Sequence, residues 1–383
     1  MDYRIFLLTF SALAFGTGAY VFTGFLEPMA RELGQSVGAV GQLQTVFVVS
    51  AALAGPPLAH LMRRMDRRHI LLIALALVSA FSFLAGLVES FSTLLALRAL
   101  SGIAGGLVMP AATAAATTLV PPHQRGSAIA LVIGGMTLAF LMGIPLGSLV
   151  GGAFGWRATF YFAGVIALAA FLAVTFLLRP IPAAPVPEGE RPDWGTILPL
   201  VSCTLVSFTA TMTLVSYIGP VLKISAGVEG GAVAGYQTFI GVGAVLALFV
   251  GGRLANLGAG RTVVIGIMLL ICCAQGLHWL ELLGGTPAGW PTWVVVTFAI
   301  MLNAFALFAL MPIVQSRLIA AAGPSAAPVA LAINGSANYL GQGLGAAHGG
   351  LVISQFGLIA TAPAGMLVAL AGVLVALWAL RAS

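Results

Sequence analysis

Apolar residues in this chain come in runs of about 20 or more, one after another from end to end, with short polar turns between them. The hydrocarbon core of a bilayer takes about 20 residues of helix to cross. Inside it every backbone N–H and C=O must be satisfied within the protein, which long uninterrupted runs achieve as helices. The runs fall at about 4–26, 38–62, 70–88, 92–119, 126–152 and 158–178, then about 195–221, 233–255, 262–282, 291–316, 327–352 and 358–380. Only 7% of residues are charged, against about a quarter in soluble domains, so no sizeable soluble domain fits between the spans. The expectation is an all-α membrane protein of about twelve transmembrane helices.

The longest polar, proline-rich segment, residues 179–194, divides the chain into a first bundle at 1–178 and a second at 195–383. The halves repeat. Gly55 to Ala59 is matched by Gly251 to Ala255, and Met109-Pro110 by Met311-Pro312, at offsets near 196–202. Gly335 and Gly343 fall in step with Gly135 and Gly143. Two pseudo-symmetric six-helix bundles follow, a parallel repeat of the kind used by one large class of transporters.

A net charge of +6 would suit nucleic acid in a soluble protein, but here the arginines sit at helix ends and in short loops. Counted from a cytoplasmic N-terminus, Arg63, Arg64, Arg67, Arg68, Arg125, Arg179, Arg191, Arg253, Arg261, Arg317 and Arg381 share one side, and only Arg31, Arg157 and Lys223 fall on the other. The positive-inside rule then puts both termini in the cytoplasm. The N-terminus lacks a signal-peptide cleavage pattern, so the first helix is expected to stay. Cys203, Cys272 and Cys273 lie in apolar segments without disulfide or metal spacing. No phosphate-binding loop or nucleophile–base set appears, so neither an enzyme nor a cofactor is expected.

Gly134 to Arg157 carries Gly134, Gly135, Gly143, Gly147, Gly151 and Gly152 around Pro145. In a soluble helix each interior Gly costs about 1 kcal/mol and Pro about 3. In lipid, small surfaces let a neighbouring helix come close, so the stretch reads as a tightly packed span that bends or slides.

Arg98 is the one charged residue well inside the hydrocarbon, where burial costs about 2.5–3.5 kcal/mol on insertion scales. It is either a cavity-facing cation for substrate or coupling, or a side chain that snorkels to the interface. All ten carboxylates, Glu281 among them, map to loops or helix ends, which favours neutral or anionic solutes over lipophilic cations. His278, near the outer end of helix 9, and His348, in helix 11, are candidate proton carriers or packing residues. Candidate lining residues are the uncharged polar ones: Tyr20, Gln42, Gln44, Tyr217 and Asn303, and Asn334, Asn338 and Gln342 at steps of four on one helix face. The competing reading is interhelical hydrogen bonding. Arg67, Arg68 and Asp66 in the basic loop suit a latch.

The chain resembles the major facilitator superfamily, and within it the twelve-helix drug and sugar efflux branch, including arabinose, sugar and purine efflux permeases. The residues that carry this are Gly55 to Leu58 with Arg63, Asp66, Arg67 and Arg68; Arg98 with Gly102, Gly105 and Gly106; and Gly143, Pro145, Gly147, Gly151 and Gly152. The resemblance implies that Asp66, Arg67 and Arg68 gate the cytoplasmic side, that Arg98 supports coupling, and that the Gly143, Pro145 and Gly147 face packs on the opposite half. The acidic residue many relatives carry in helix 1 falls at or near Ala19. The expected function is export of a small drug, sugar or nucleoside-like solute across a bacterial inner membrane. It would proceed as a monomer, by rocker-switch alternating access, with protons as a candidate coupling ion. The alternatives are a proton-independent facilitator, an importer of a small organic anion, and a membrane receptor or assembly subunit that transports nothing.

Overall fold

A computed structural model describes residues 2–62, 64–121, 124–181, 193–258, 260–284 and 291–379. Arg63, most of the expected linker including Arg191, and Arg381 lie outside them. Among the described residues every regular element is helical. Eleven helical stretches there are long and apolar enough to cross a membrane. The first half comprises α1 (Tyr3–Tyr20), α2 (Leu26–Glu32), α3 (Val37–Leu61), α4 (Arg67–Leu87), α5 (Phe91–Gly105), α6 (Val108–Leu119), α7 (Arg125–Leu138), α8 (Ile144–Phe154) and α9 (Trp156–Leu177). The second comprises α10 (Trp194–Val215), α11 (Ile218–Ala226), α12 (Val233–Asn256), α13 (Arg261–Leu282), α14 (Thr292–Phe356) and α15 (Thr361–Ala379).

Sequence chemistry explains the starts and breaks. Asp2, Asp66 and Asp193 each cap a helix N-terminus through a carboxylate that accepts backbone N–H groups. The Arg4 side chain lowers the Asp2 carboxyl below its ordinary range, and the Thr196 hydroxyl does the same for Asp193. Pro145 has no N–H to give the preceding turn, and a π-helical turn at Ala139–Gly143 directly precedes it, between α7 and α8. Gly323, at φ 69° and ψ 170°, interrupts α14, so the amide row lies on its second arm. That backbone region is open to glycine alone. Gly323→Ala is therefore expected to lower stability by about 1–3 kcal/mol, read as an earlier thermal unfolding transition.

The chain divides into two compact units: Met1–Gln35, Val46–Val186 and Gly230–Thr238 in one, Ser36–Thr45, Pro187–Glu229 and Phe239–Ser383 in the other. Two short segments thus join the unit opposite to their place in the chain. Glycine chemistry shows why. In the first unit a Cβ at Gly152 would meet the Gly231 backbone at 2.6 Å. In the second, a Cβ at Gly38 would meet the Gly350 carbonyl at 2.9 Å, and one at Gly41 would overlap the Tyr217 ring.

Within the first unit α1 packs against α6, α7 and α9, and α4 against α5, α6 and α9. Within the second, α10 packs on α13, α14 and α15. Apolar side chains such as Leu87, Phe154, Phe176, Phe249, Phe356 and Leu367 stay exposed on the outer faces, as lipid contact requires.

Both units contain a glycine-lined seam of the same design. A Cβ at Gly135 would overlap the Thr9 carbonyl, and one at Gly143 the Thr17 hydroxyl. In the second unit Gly341, Gly345 and Gly349 abut the Leu205, Thr209 and Thr213 carbonyls. The pairs Thr9–Leu205 and Thr17–Thr213 are 196 residues apart, whereas Gly135–Gly341 and Gly143–Gly349 are 206 apart. The expected register, Gly135 with Gly335 and Gly143 with Gly343, is therefore off by one to two helical turns, and Gly335 has open space around it.

Candidate functional site

A Cβ at Gly143 would overlap Thr17, inside the first unit. A Cβ at Gly147 would overlap Val21, so both glycines seat α1 of their own unit, and Pro145 is buried beside them. Within the first unit, Gly231 approaches this helix at Gly152 and Gln237 bonds it at Ser148. The reason is size: without Cβ atoms α1 comes close enough for its own side chains to fill the seam.

Arg98 is 3% exposed and enclosed by the first unit. Its guanidinium donates to the carbonyls of Gly18 at 2.8 Å and Ala19 at 2.9 Å, in the last turn of α1. Its central carbon lies 4.1 Å from the Phe47 ring centroid and 5.0 Å from that of Phe22. A cation here answers the negative end of the α1 dipole and two unpaired carbonyls together. Ala19, at or near which the resemblance places an acid, offers its backbone oxygen. Tyr20, one residue on, is buried with its ring 4.9 Å from that of Phe140.

The expected gating residues brace one end of the first unit. Asp66 accepts from the N–H groups of Arg68 and His69. The Arg67 N–H donates to the Ile181 carbonyl at 2.9 Å, and the Arg68 side chain donates to the Thr175 carbonyl at 2.7 Å, at the C-terminal turn of α9. At the opposite end Glu32 accepts from Trp156 and Arg157, and Arg157 reaches the Val88 carbonyl. The loop motif therefore ties α4 to α9. Asp66→Ala removes the cap and is expected to cost about 1 kcal/mol, measured as a lower unfolding midpoint.

The second unit gathers most of the uncharged candidates. Gln42 hydrogen-bonds the Tyr217 hydroxyl, which donates to the Ala346 carbonyl at 2.8 Å. Asn303 Oδ1 accepts from Thr211 at 3.3 Å, and Gln342 donates to Asn338, one turn back on the same face. His348 Nδ1 pairs with the Thr213 hydroxyl at 3.2 Å. Several buried polar atoms have no hydrogen-bond partner among the described residues: both side-chain atoms of Gln44, Nδ2 of Asn303, Oδ1 of Asn334 and Oγ of Ser216. In the first unit Thr17 Oγ1 and Gln237 Nε2 share that state, while Ser148 donates to Gln237 Oε1 at 2.6 Å. Tyr20, Arg98, Asp66, Arg67 and Arg68 thus belong to one unit, and Gln42, Gln44, Tyr217, Asn303, Asn334, Asn338, Gln342 and His348 to the other.

One carboxylate has a partner that the sequence did not show. Glu281 does fall at a helix end, but it is 3% exposed and pairs with His278. Gln275, His278 and Glu281 recur every third residue of α13, a spacing that puts them along one face. That pattern was the available signal for the cluster.

A family profile described as Major Facilitator Superfamily matches residues 8–308. YbcL of Bacillus subtilis, described as an uncharacterized MFS-type transporter, is 27% identical over 93% of this chain and 90% of its own length. The inner membrane transport protein YdhP of Escherichia coli O157:H7 is also 27% identical, over 92% of this chain and 90% of its own. Among solved structures, a bacterial homolog of the human lysosomal transporter Spinster superposes with a TM-score of 0.82 at 20% identity, covering 100% of this chain and 97% of that one. A D-xylose-proton symporter gives 0.75 at 17% identity, covering 99% and 97%.

Proposed function

This chain belongs to the Major Facilitator Superfamily, whose members are transporters and not enzymes, and from that premise we propose that it exports a small, neutral, polar organic solute across the inner membrane. Sugar-like and nucleoside-like solutes have the required chemistry. The observation that carries the reading is the set of buried amide and hydroxyl atoms without partners in the second unit, on Gln44, Asn303, Asn334 and Ser216. An unsatisfied buried polar atom costs about 1–3 kcal/mol. A solute carrying hydroxyl and amide groups supplies the missing partners, and displaced water supplies them in its absence. The direction of export rests on the resemblance of the glycine–proline helix to that of efflux relatives. The cytoplasmic placement of both termini rests on the arginine distribution.

Import of an anion drawn to Arg98 has less support, because the Gly18 and Ala19 carbonyls and two aromatic rings already engage that guanidinium. A thermal-shift screen of the purified protein against sugars, nucleosides, organic anions and drugs tests the choice. Neutral polyhydroxy or amide solutes are expected to raise the unfolding temperature. Gln44→Leu and Asn334→Leu are expected to weaken that shift while leaving the solute-free protein as stable as before, since replacing an unpaired polar group by an apolar one removes its desolvation cost. Stabilisation by anions alone would overturn the reading.

A further inference from the structure

Three arginines at one end of the second unit serve above only as a topology signal. Arg253 stands in the last turn of α12, and Arg261 opens α13. Arg317 on α14 brings a guanidinium nitrogen to 4.0 Å from where a Cβ of Gly260 would lie. Arg253 is exposed, and Arg261 and Arg317 are half-buried. The chain carries no Asp or Glu between Glu229 and Glu281, and none after Glu281. Of the carboxylates described in this unit, Glu229 pairs with Lys223, Glu281 with His278, and Asp193 caps α10 and bonds Thr196. Glu188 and Glu190 lie outside the described residues.

The matched turn of the first unit brings its own anion. There α4 begins at Asp66, whose carboxylate caps the helix beside Arg67 and Arg68 and stands 3.7 Å from His69 Nδ1. The residue in that place before α13 is Gly260, which has no side chain to offer. The second turn thus keeps the cations and omits the carboxylate. Lipid lies beside it. Leu246, Phe249 and Val250 are exposed on α12 before Arg253, and Leu257 is exposed after it. Residues three, four and seven apart share a helix face. Arg253 therefore ends an apolar stripe at the helix terminus, where tails give way to headgroups. A guanidinium offers a planar fork to two phosphate oxygens, and partial burial protects such a contact from screening by salt.

We propose that the turn between α12 and α13, with Arg253, Arg261 and Arg317, seats the headgroup of an anionic phospholipid whose acyl chains run along Leu246, Phe249 and Val250. An anionic lipid fits and a zwitterionic one does not, because the latter carries its own cation and leaves the arginines unbalanced. The seated lipid supplies the second unit with the negative charge that Asp66 supplies to the first.

The test uses the full chain in phosphatidylcholine nanodiscs with and without phosphatidylglycerol. It reads the unfolding temperature and, by native mass spectrometry, the phosphatidylglycerol retained. Phosphatidylglycerol is expected to be retained and to raise the unfolding temperature. Arg253→Gln, Arg261→Gln and Arg317→Gln are each expected to weaken retention about fivefold and to reduce the rise. Arg125→Gln removes the same charge from the first unit and is expected to change neither. Should the variants at the two half-buried positions not accumulate, Arg253→Gln, at an exposed position, decides alone. Three results would overturn the proposal. An equal loss in Arg125→Gln would report diffuse charge. A rise unaltered by the arginine variants would report balance within the protein, as by Glu188 and Glu190. The same rise from inorganic phosphate added to phosphatidylcholine discs would report a free anion. No solute enters the measurement, so its failure is separate from that of the solute screen.

Discussion

Gly135→Leu is expected to leave almost no folded protein, while Gly134→Leu, one residue away, is expected to accumulate like the parent chain. A Cβ at Gly135 runs into the Thr9 carbonyl and comes within 2.9 Å of Ala12 Cβ and 3.1 Å of the Leu13 nitrogen. Two of these are backbone atoms of α1, which cannot rotate away. Overpacking a well-packed seam by a few methylenes costs about 1–3 kcal/mol, and a leucine here exceeds that because α1 must move bodily. α1 also carries the carbonyls that Arg98 holds, so the damage spreads beyond the contact. A Cβ at Gly134 meets nothing within 4 Å. Gly134→Ala is expected to be neutral or to stabilise by up to about 1 kcal/mol through helix propensity. Detergent-solubilised monodisperse yield and thermal midpoint read both variants; equal yields would show that α7 does not approach α1 as described.

The second large effect is expected at Arg98. Arg98→Ala removes two charge-assisted hydrogen bonds and two cation–π contacts, and leaves the Gly18 and Ala19 carbonyls facing an apolar interior. Losing one side of such a buried arrangement costs about 3–5 kcal/mol. Arg98→Lys is expected to fall between, because a single ammonium does not reproduce the planar fork that reaches two adjacent carbonyls. The check is the thermal midpoint of each variant, with membrane insertion measured alongside. A parent-like midpoint for Arg98→Ala would mean that the guanidinium serves a purpose other than holding the end of α1.

The class of fold was legible because it rests on a composition constraint: apolar runs of bilayer length are helices, and mid-chain proline with polar residues separates two sets. The uncharged polar side chains that the structure buries were legible too, since Gln44, Asn303, Asn334 and Tyr217 stand out against hydrocarbon. Partners were not. Arg98 reads as an isolated cation in sequence because its partners are backbone carbonyls, which every residue has. Glu281 reads as a helix-end carboxylate because a span boundary does not say whether the last turn faces water or protein. The glycine repeat was visible, yet its register was not, since many glycines recur at similar spacing and only contact selects among them.

Sequence alone determined that this chain crosses the membrane many times, that it is built from two related halves, and that its interior chemistry is almost free of charge, because these depend on residue type and order. Tertiary structure alone decided that Gly135, Gly143 and Gly147 seat α1, that Ser36–Thr45 and Gly230–Thr238 join the opposite units, and that His278 and Glu281 share a buried bond. Which glycine is crowded, and which charge is covered, depends on distances of a few ångströms between segments far apart in the chain, and no periodicity along one helix encodes them.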